Sequence, residues 1–244
     1  MNIADEASSA HLNAIVHPES TVATIPLKAA IDSVNNSFKR WGLPRRIKID
    51  NGLPFVNPKY RDLPTLAKLW WIGLGIEVIQ NRPLTPQENG VVECLQGIIC
   101  SWVNPKQHPH SESLQKRINQ ESDFQRNHYQ IPAKGNKTRI EIYPELEENN
   151  RVYHPDNFNM NLVYEYLSQF VWYRSIKKSG MVGFNGEPIY VGYKFAYLPI
   201  TVSFDPIEKV WLFRKTDGTL LKTSSKGVYT EEQIKEFSIM SMNL

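Results

Sequence analysis

The stretch "RRIKIDNGLPF", residues 45–55, decides the fold prediction. Its apolar residues alternate with polar ones up to Ile49, which predicts a short β-strand, and the carboxylate of Asp50 follows directly. Asn51-Gly52 then predicts a tight turn. A carboxylate at the carboxyl end of a strand lies where an α/β sheet exposes its functional edge. Asp50 is therefore either a turn residue or a carboxylate presented for chemistry.

The segments around this stretch predict alternating helices and strands. Residues 25–42 have apolar side chains at helical spacing, which predicts an amphipathic helix from Leu27 onward. Residues 61–75 predict a second helix with Asp62 as its cap, followed by a strand at 76–80. A loop rich in turn formers separates that strand from a third helix at 91–103. This order predicts an α/β layer with a largely parallel sheet.

The chain changes in character from Phe170 onward. Short β-type runs alternate with hairpin signals such as Asn185-Gly186 and Asp217-Gly218, which predicts a small all-β barrel domain. We predict four parts in total: a core at 1–135, a linker with a short helix at 136–169, the barrel at 170–230 and a tail at 231–244.

Composition narrows the class of protein. The net charge of +3 and the pI near 8.7 permit a nucleic-acid partner without requiring one. Two cysteines, Cys94 and Cys100, predicted on different faces of one helix, favour reduced thiols. Because no signal-peptide pattern and no apolar run of bilayer length is visible, we expect a cytoplasmic protein without membrane contact. No nucleotide-binding loop or Ser-His-Asp spacing points to a small-molecule substrate.

Glu93 is the candidate partner of Asp50. It lies in the first turn of the third predicted helix, after a loop that could bring it beside the strand end. Each motif also has a structural explanation, because Asn-Gly is a hairpin signal and a glutamate at a helix N-terminus interacts favourably with the helix dipole. Neither motif decides between these alternatives by itself.

Taken together, "WGLPRRIKIDNGLPF" (41–55) and "PLTPQENGVVECLQG" (83–97) resemble the catalytic core shared by insertion-sequence transposases and retroviral integrases. In that family an Asp-Asn-Gly ends one strand, and a Pro-Gln-x-Asn-Gly-x-x-Glu loop opens the last core helix. The resemblance implies a ribonuclease-H-like fold with Asp50 and Glu93 as second and third carboxylates of an Asp-Asp-Glu triad. It also implies Mg²⁺ or Mn²⁺, two ions in a complete family member, for nicking and transferring DNA strands.

The same resemblance implies a first aspartate on the first of three antiparallel strands, whereas only two strands are predicted before Leu27. We therefore expect Asp5 to be a turn residue and the strand with the first catalytic Asp to lie upstream of Met1. The chain would then be a truncated copy with an incomplete triad. The alternative makes Asp5 the first carboxylate on a shortened sheet.

The resemblance also implies partners, namely element-end and target DNA and further copies of the chain in a homo-multimer on DNA. A second hypothesis is a non-catalytic, DNA-binding remnant or domesticated module.

Two further segments resemble parts of transposases. Residues 124–145 loosely resemble the end of many transposase cores, and 172–192 with 202–221 resemble the small barrel of transposases related to that of bacteriophage Mu. Basic residues in these segments are candidates for DNA-backbone contacts, with solvated surface charge as the alternative. The candidates are Arg126, Lys134, Lys137, Arg139, Arg174, Lys177, Lys178 and Lys194, followed by Arg214 and Lys215.

The aromatic residues of the β-type segments favour barrel core over a base-stacking platform. They are Trp172, Tyr190, Tyr193, Phe204 and Trp211.

Overall fold

The structure is a computed structural model, and it describes residues 1–17, 25–52, 55–56, 62–82 and 85–239. It is mixed α/β, with 42% helix and 23% strand, which confirms the predicted class. The chain divides into two compact units. Unit 1 holds the described residues within 1–55 and 78–156, and unit 2 holds those within 56–77 and 157–239. The four-part division made from the sequence, with boundaries near 135, 170 and 230, stays a prediction.

The described helices and strands follow one another along the chain. In order from the N-terminus they are β1 (Asn2–Asp5), β2 (Ala10–Ala14), α1 (Leu27–Trp41), β3 (Arg46–Ile49), α2 (Leu66–Gly73), β4 (Glu77–Gln80), α3 (Gly90–Val103), α4 (Ser111–Asn127), α5 (Arg139–Ile142), α6 (Met160–Ser168), β5 (Val171–Ser175), β6 (Met181–Phe184), β7 (Glu187–Tyr190), β8 (Pro199–Asp205), β9 (Val210–Lys215), β10 (Leu220–Ser224) and α7 (Glu231–Ile239).

Unit 1 contains two small sheets. β1 and β2 form an antiparallel pair, and β3 pairs with β4. Among the described residues the two pairs are not joined into one sheet. A two-stranded sheet is marginally stable alone, so the helices must supply most of the core. α1 and α4 pack on β2, and α3 packs on β1 and α4.

The end of α1 is held in place by a later segment. Gly42 ends the helix with φ of 74°, a conformation that glycine adopts without strain. Asn149 Nδ2 donates to the carbonyl oxygens of Trp41 (2.8 Å) and Leu43 (3.2 Å). A Cβ on Gly42 would lie 2.7 Å from that Nδ2, so a side chain at this position would clash. These contacts fix the chain just before β3 and therefore before Asp50.

Unit 2 is built around α2, α6 and α7. α2 is apolar on nearly all sides and buries both of its tryptophans. The Trp70 ring stacks on Phe158, with ring centroids 5.2 Å apart. The predicted cap, Asp62, is wrong: Thr65 is the N-cap, and its side chain accepts from the Lys68 N–H. Asp62 is instead paired with Arg174 of β5.

The strands of unit 2 form an open arrangement. A four-stranded antiparallel sheet has the order β10-β9-β8-β5, and β6 and β7 form a separate hairpin. The hairpin meets the sheet through side chains, since the Phe184 ring lies 4.9 Å from Trp211 and 5.7 Å from Trp172. The barrel prediction is corrected accordingly: the described strands do not close, because the hairpin packs on the face of the sheet instead of extending its edge.

No helix in the described ranges is both long enough and apolar enough to cross a membrane.

Candidate functional site

Asp50 lies at the carboxyl end of β3 and is exposed to solvent. Its Oδ1 accepts a hydrogen bond from the Gly52 N–H at 3.0 Å. A Cβ on Gly52 would lie 3.2 Å from the same oxygen, so glycine leaves room for the carboxylate. The Asn-Gly turn therefore orients Asp50, and the function of Asp50 as a metal ligand stays a prediction.

A chain of three asparagines runs from this turn to the loop before α3. Asn51 Nδ2 donates to the Asn81 carbonyl oxygen at 2.7 Å, and Asn81 Nδ2 donates to Asn89 Oδ1 at 2.5 Å. Asn81 also donates its N–H to the Ile49 carbonyl oxygen at 3.0 Å, directly after β4. Asn51 follows Asp50, and Asn89 precedes Glu93 by one helical turn. This asparagine chain, Asn51–Asn81–Asn89, thus joins the two motifs that carry the predicted carboxylates.

Asn81 is the central member of this asparagine chain and is 5% exposed. Its Oδ1 has no hydrogen-bond partner among the residues that the structure describes. A buried amide oxygen left unpaired costs free energy, so this acceptor is an unfavourable feature of the described structure. The sequence predictions missed Asn81 and the linking function of Asn89. The only local signal was an asparagine in each motif, and an amide can donate and accept at once.

The loop between β4 and α3 is closed by an ion pair. The Arg82 side chain donates through Nε to Glu88 Oε1 (2.6 Å), and the Arg82 backbone N–H donates to Glu88 Oε2 (2.9 Å). These hydrogen bonds hold the pKa of the Glu88 carboxyl below its usual value. Glu88 is therefore engaged in shaping the loop. Glu93 lies in the first turn of α3, on its exposed side.

Asp50 and Glu93 carry the hard oxygen donors that Mg²⁺ and Mn²⁺ prefer. Within the described ranges, however, no group of three His, Cys, Asp or Glu side chains could hold a metal ion. The chemistry of the two carboxylates fits a divalent cation, and the metal site itself stays a prediction.

Asp5 lies at the end of β1 and is half-buried. Its Oδ2 accepts from both the N–H (2.7 Å) and the hydroxyl (2.6 Å) of Ser8, in the turn that leads to β2. This geometry supports the interpretation of Asp5 as a turn residue. Its alternative role as first carboxylate has no support from these contacts.

Two of the predicted DNA-contacting arginines are engaged inside unit 1. Arg126 is 3% exposed, donates to the His11 carbonyl oxygen, and lies 5.0 Å from the centre of the Trp41 ring. Burial lowers its pKa to about 10. Arg139 donates through Nε to the Ser9 carbonyl oxygen at 3.0 Å. Both guanidinium groups therefore tie α4 and α5 to the β1–β2 hairpin.

The remaining basic candidates differ in exposure. Arg174 donates to Asp62 Oδ2 at 2.7 Å and lies 5.1 Å from the Phe184 ring, so it is engaged within unit 2. Arg214 and Lys215 are half-exposed on β9. The five predicted lysines are all exposed, and contact with DNA phosphates stays a prediction for them. They are Lys134, Lys137, Lys177, Lys178 and Lys194.

No protein-family model matches this chain. The resemblance to the catalytic core of transposases and integrases rests on residues 41–55 and 83–97.

Proposed function

We propose that this chain is a transposase- or integrase-type protein whose core acts on DNA by Mg²⁺-dependent phosphoryl transfer. The observation that carries the proposal is the asparagine chain Asn51–Asn81–Asn89. It links the Asp50 turn to the loop before Glu93, although the two motifs are far apart in sequence. The connection passes through the buried Asn81 and gives the two motifs a fixed position relative to each other.

In this proposal Asp50 and Glu93 hold the cation through carboxylate oxygens. The bound ion would supply Lewis-acid stabilisation of charge on the scissile phosphate. The Gly52 N–H keeps the Asp50 carboxylate oriented, and the asparagine chain fixes the N-terminus of α3 relative to the end of β3. Exposed lysines neutralise DNA phosphates and position the strand.

We further propose a ribonuclease-H-like core in which one strand lies between β1 and β3. The two separate two-stranded sheets support this, because a bridging strand would unite them into a single sheet. Lys48 of β3 is 3.3 Å from Glu6 in the β1–β2 turn, so the two sheets lie near each other within unit 1. The first carboxylate of the triad would belong to that bridging strand, since Asp5 is bonded to Ser8.

Manganese binding provides the test. We expect the chain to bind Mn²⁺ weakly, measured as loss of the free-ion EPR signal, and we expect Asp50→Asn and Glu93→Gln each to abolish binding. Asp5→Asn is the matched control and should leave binding unchanged. Unaltered binding in Asp50→Asn would contradict the proposal. Nicking of element-end DNA in Mn²⁺ that is lost in Asp5→Asn would instead show that Asp5 completes the triad.

A non-catalytic DNA-binding module is the second candidate function. The engagement of Asp5 with Ser8 favours it, because a core with two carboxylates lacks the third ligand. Such a module would bind element-end or target DNA, as a homo-multimer, equally well with Asp50→Asn or Glu93→Gln. Light scattering with and without DNA would measure the multimer. Nicking activity that depends on Asp50 would exclude this candidate.

A further inference from the structure

The aromatic residues predicted for the core of the β domain divide into two groups. Trp172, Phe204 and Trp211 are buried, as expected, and the rings of Trp172 and Trp211 meet Phe184 of the β6–β7 hairpin. Tyr190 and Tyr193 are 51% and 68% exposed, so assigning them to the core is wrong. Their rings lie outside the packed layer because β7 ends at Tyr190 and the chain then turns away.

The segment 190–197, which we call the tyrosine segment, presents a third exposed ring, Tyr197, at 69%. The Tyr190 hydroxyl accepts from the Tyr193 N–H at 3.3 Å, and the two rings meet edge to face at 6.0 Å. Tyr197 has φ of 66° and donates its N–H to the Ile176 carbonyl oxygen at 2.8 Å. These bonds hold the backbone of the segment, so its rings are exposed on a fixed support.

A lysine-bearing turn lies directly against the tyrosine segment. The turn contains Lys177 and Lys178, both exposed, and ends at Gly180. The Gly180 carbonyl oxygen accepts from the N–H groups of Val191 (2.9 Å) and Gly192 (3.2 Å). A Cβ on Gly180 would lie 2.7 Å from the Gly192 carbonyl carbon, so only glycine allows this approach. Exposed rings and exposed ammonium groups are thereby brought to one end of the hairpin.

Most further charge at this end is also basic, with Asp217 beside Lys215 as an acidic exception. The Lys194 and Lys215 ammonium groups lie 4.9 Å and 5.7 Å from the Phe195 ring. Residues 171–198 contain four basic side chains, of which Arg174 is paired with Asp62, and one acidic one, Glu187. Glu187 pairs with Phe184 at the closed end of the hairpin, whereas Tyr190 pairs with Met181 at the open end. The surface around the tyrosine segment is therefore suited to an anionic partner with flat apolar groups.

We infer that the tyrosine segment and the adjoining lysines bind single-stranded DNA. Exposed rings stack on bases whose faces are free, and lysines follow the phosphates of the same strand. In a duplex the base faces are covered by neighbouring bases, so these rings would have little to stack on. The choice of DNA rests on the proposed function, in which DNA is the substrate.

Fluorescence anisotropy with a labelled oligo(dT) of about 20 nucleotides and the full chain tests the inference. Tyr193→Leu should weaken binding by about tenfold, because the loss of one stacked base is of this order. Tyr193→Phe retains the ring and should bind within about twofold of the original chain. Lys178→Ala should reduce the slope of log affinity against log salt by about 0.7, the value for one phosphate contact on a single strand.

Lys209→Ala is the matched charge control. Lys209 lies in the turn after β8, at the end of that strand away from the tyrosine segment, and β8 of seven residues spans about 20 Å. Its substitution should leave the salt slope unchanged. Circular dichroism would establish that each variant is folded.

Three results would overturn the inference: unchanged binding in Tyr193→Leu, blunt duplex binding as tightly as oligo(dT), or RNA of matched sequence binding about tenfold tighter. Asp50→Asn should leave oligo(dT) affinity unchanged. If Tyr193→Leu does not change oligo(dT) affinity while Mn²⁺ binding still depends on Asp50, this inference alone is contradicted. If Tyr193→Leu weakens oligo(dT) binding while Mn²⁺ binding does not depend on Asp50, the proposed function alone is contradicted.

Discussion

Burial of His11 gives unit 1 a dependence on pH. Its side chain is fully buried, with Nδ1 2.7 Å from Ser122 Oγ and Nε2 3.3 Å from Asn2 Oδ1. Burial lowers the pKa of His11 to about 4, with further lowering by the charges of Arg126 and the N-terminal ammonium. Asp123, the carboxylate on this part of α4, is paired with Arg126.

The folded state therefore favours neutral His11, whereas the unfolded chain takes up the proton near pH 6.5. The contribution of neutral His11 to the free energy of unfolding should be fully present above pH 6.5. It should fall by about 3 kcal/mol as the pH decreases to about 4. Urea unfolding at about pH 7, 5.5 and 4 measures this. His11→Gln should flatten that part of the profile, and His110→Gln, at an exposed position, should not. An identical acid loss in His11→Gln would contradict the assignment.

The asparagine chain predicts energetic coupling between the two motifs. Asn81→Ala should destabilise the protein by about 1–2 kcal/mol, since Asn89 loses its buried donor. A double-mutant cycle with Asn89→Ala should give a coupling energy of at least about 0.5 kcal/mol, because the two side chains are bonded directly. Gln80→Ala, which removes an exposed contact to Asn51, is the milder control. Additive effects of Asn81→Ala and Asn89→Ala would argue against a connected network.

At the scale of elements, two glycine-to-alanine substitutions in helices should have opposite effects. A Cβ on Gly73 of α2 would overlap the Phe158 ring, whereas a Cβ on Gly97 of α3 meets nothing within 4 Å. Gly73→Ala should destabilise by about 1–3 kcal/mol through overpacking. Gly97→Ala should stabilise by about 0.5–1 kcal/mol through helix propensity. Thermal unfolding of both variants compares them directly.

A second-site change identifies the cause of the Gly73 effect. Phe158→Leu removes the ring that the new methyl group would meet, so the double variant should recover part of the stability lost in Gly73→Ala. Simple addition of the two losses would show that Phe158 is not the obstacle.

Periodicity predicts the elements that have one buried face. α1 and α3 begin and end within a residue of the predicted limits, because their apolar spacing and end signals agree. The sequence also predicts α2 as a helix, but its nearly continuous apolar run does not show which neighbours it packs on. The open sheet is not predictable either, since hairpin signals specify neighbouring strands and not the closure of a barrel.

The carboxylate at the end of β3 is predictable from local sequence, whereas the asparagine chain is not. Asp50 follows a strand and precedes a turn, and both signals lie within a few residues. The link from Asn51 to Asn89 exists only once β3, β4 and the loop before α3 have assembled. For the same reason, the burial of Arg126 could not be foreseen from a basic, polar segment.

For the whole molecule, the two units should differ in local stability. The central strands β8 and β9 are paired on both sides and bury large aromatic side chains, such as Phe213. β1, β2, β3 and β4 belong to two-stranded sheets, in which every strand has an unpaired edge among the described residues. Backbone amides open more easily where strands are short and lie at an edge.

Hydrogen–deuterium exchange followed by mass spectrometry at neutral pH should therefore show the slowest exchange in peptides covering 199–215 and much faster exchange in those covering 2–14 and 46–49. Peptides from α4, which packs on β2, should be intermediate because the helix bonds internally. Equal protection of β3 and β8 would contradict the two small sheets.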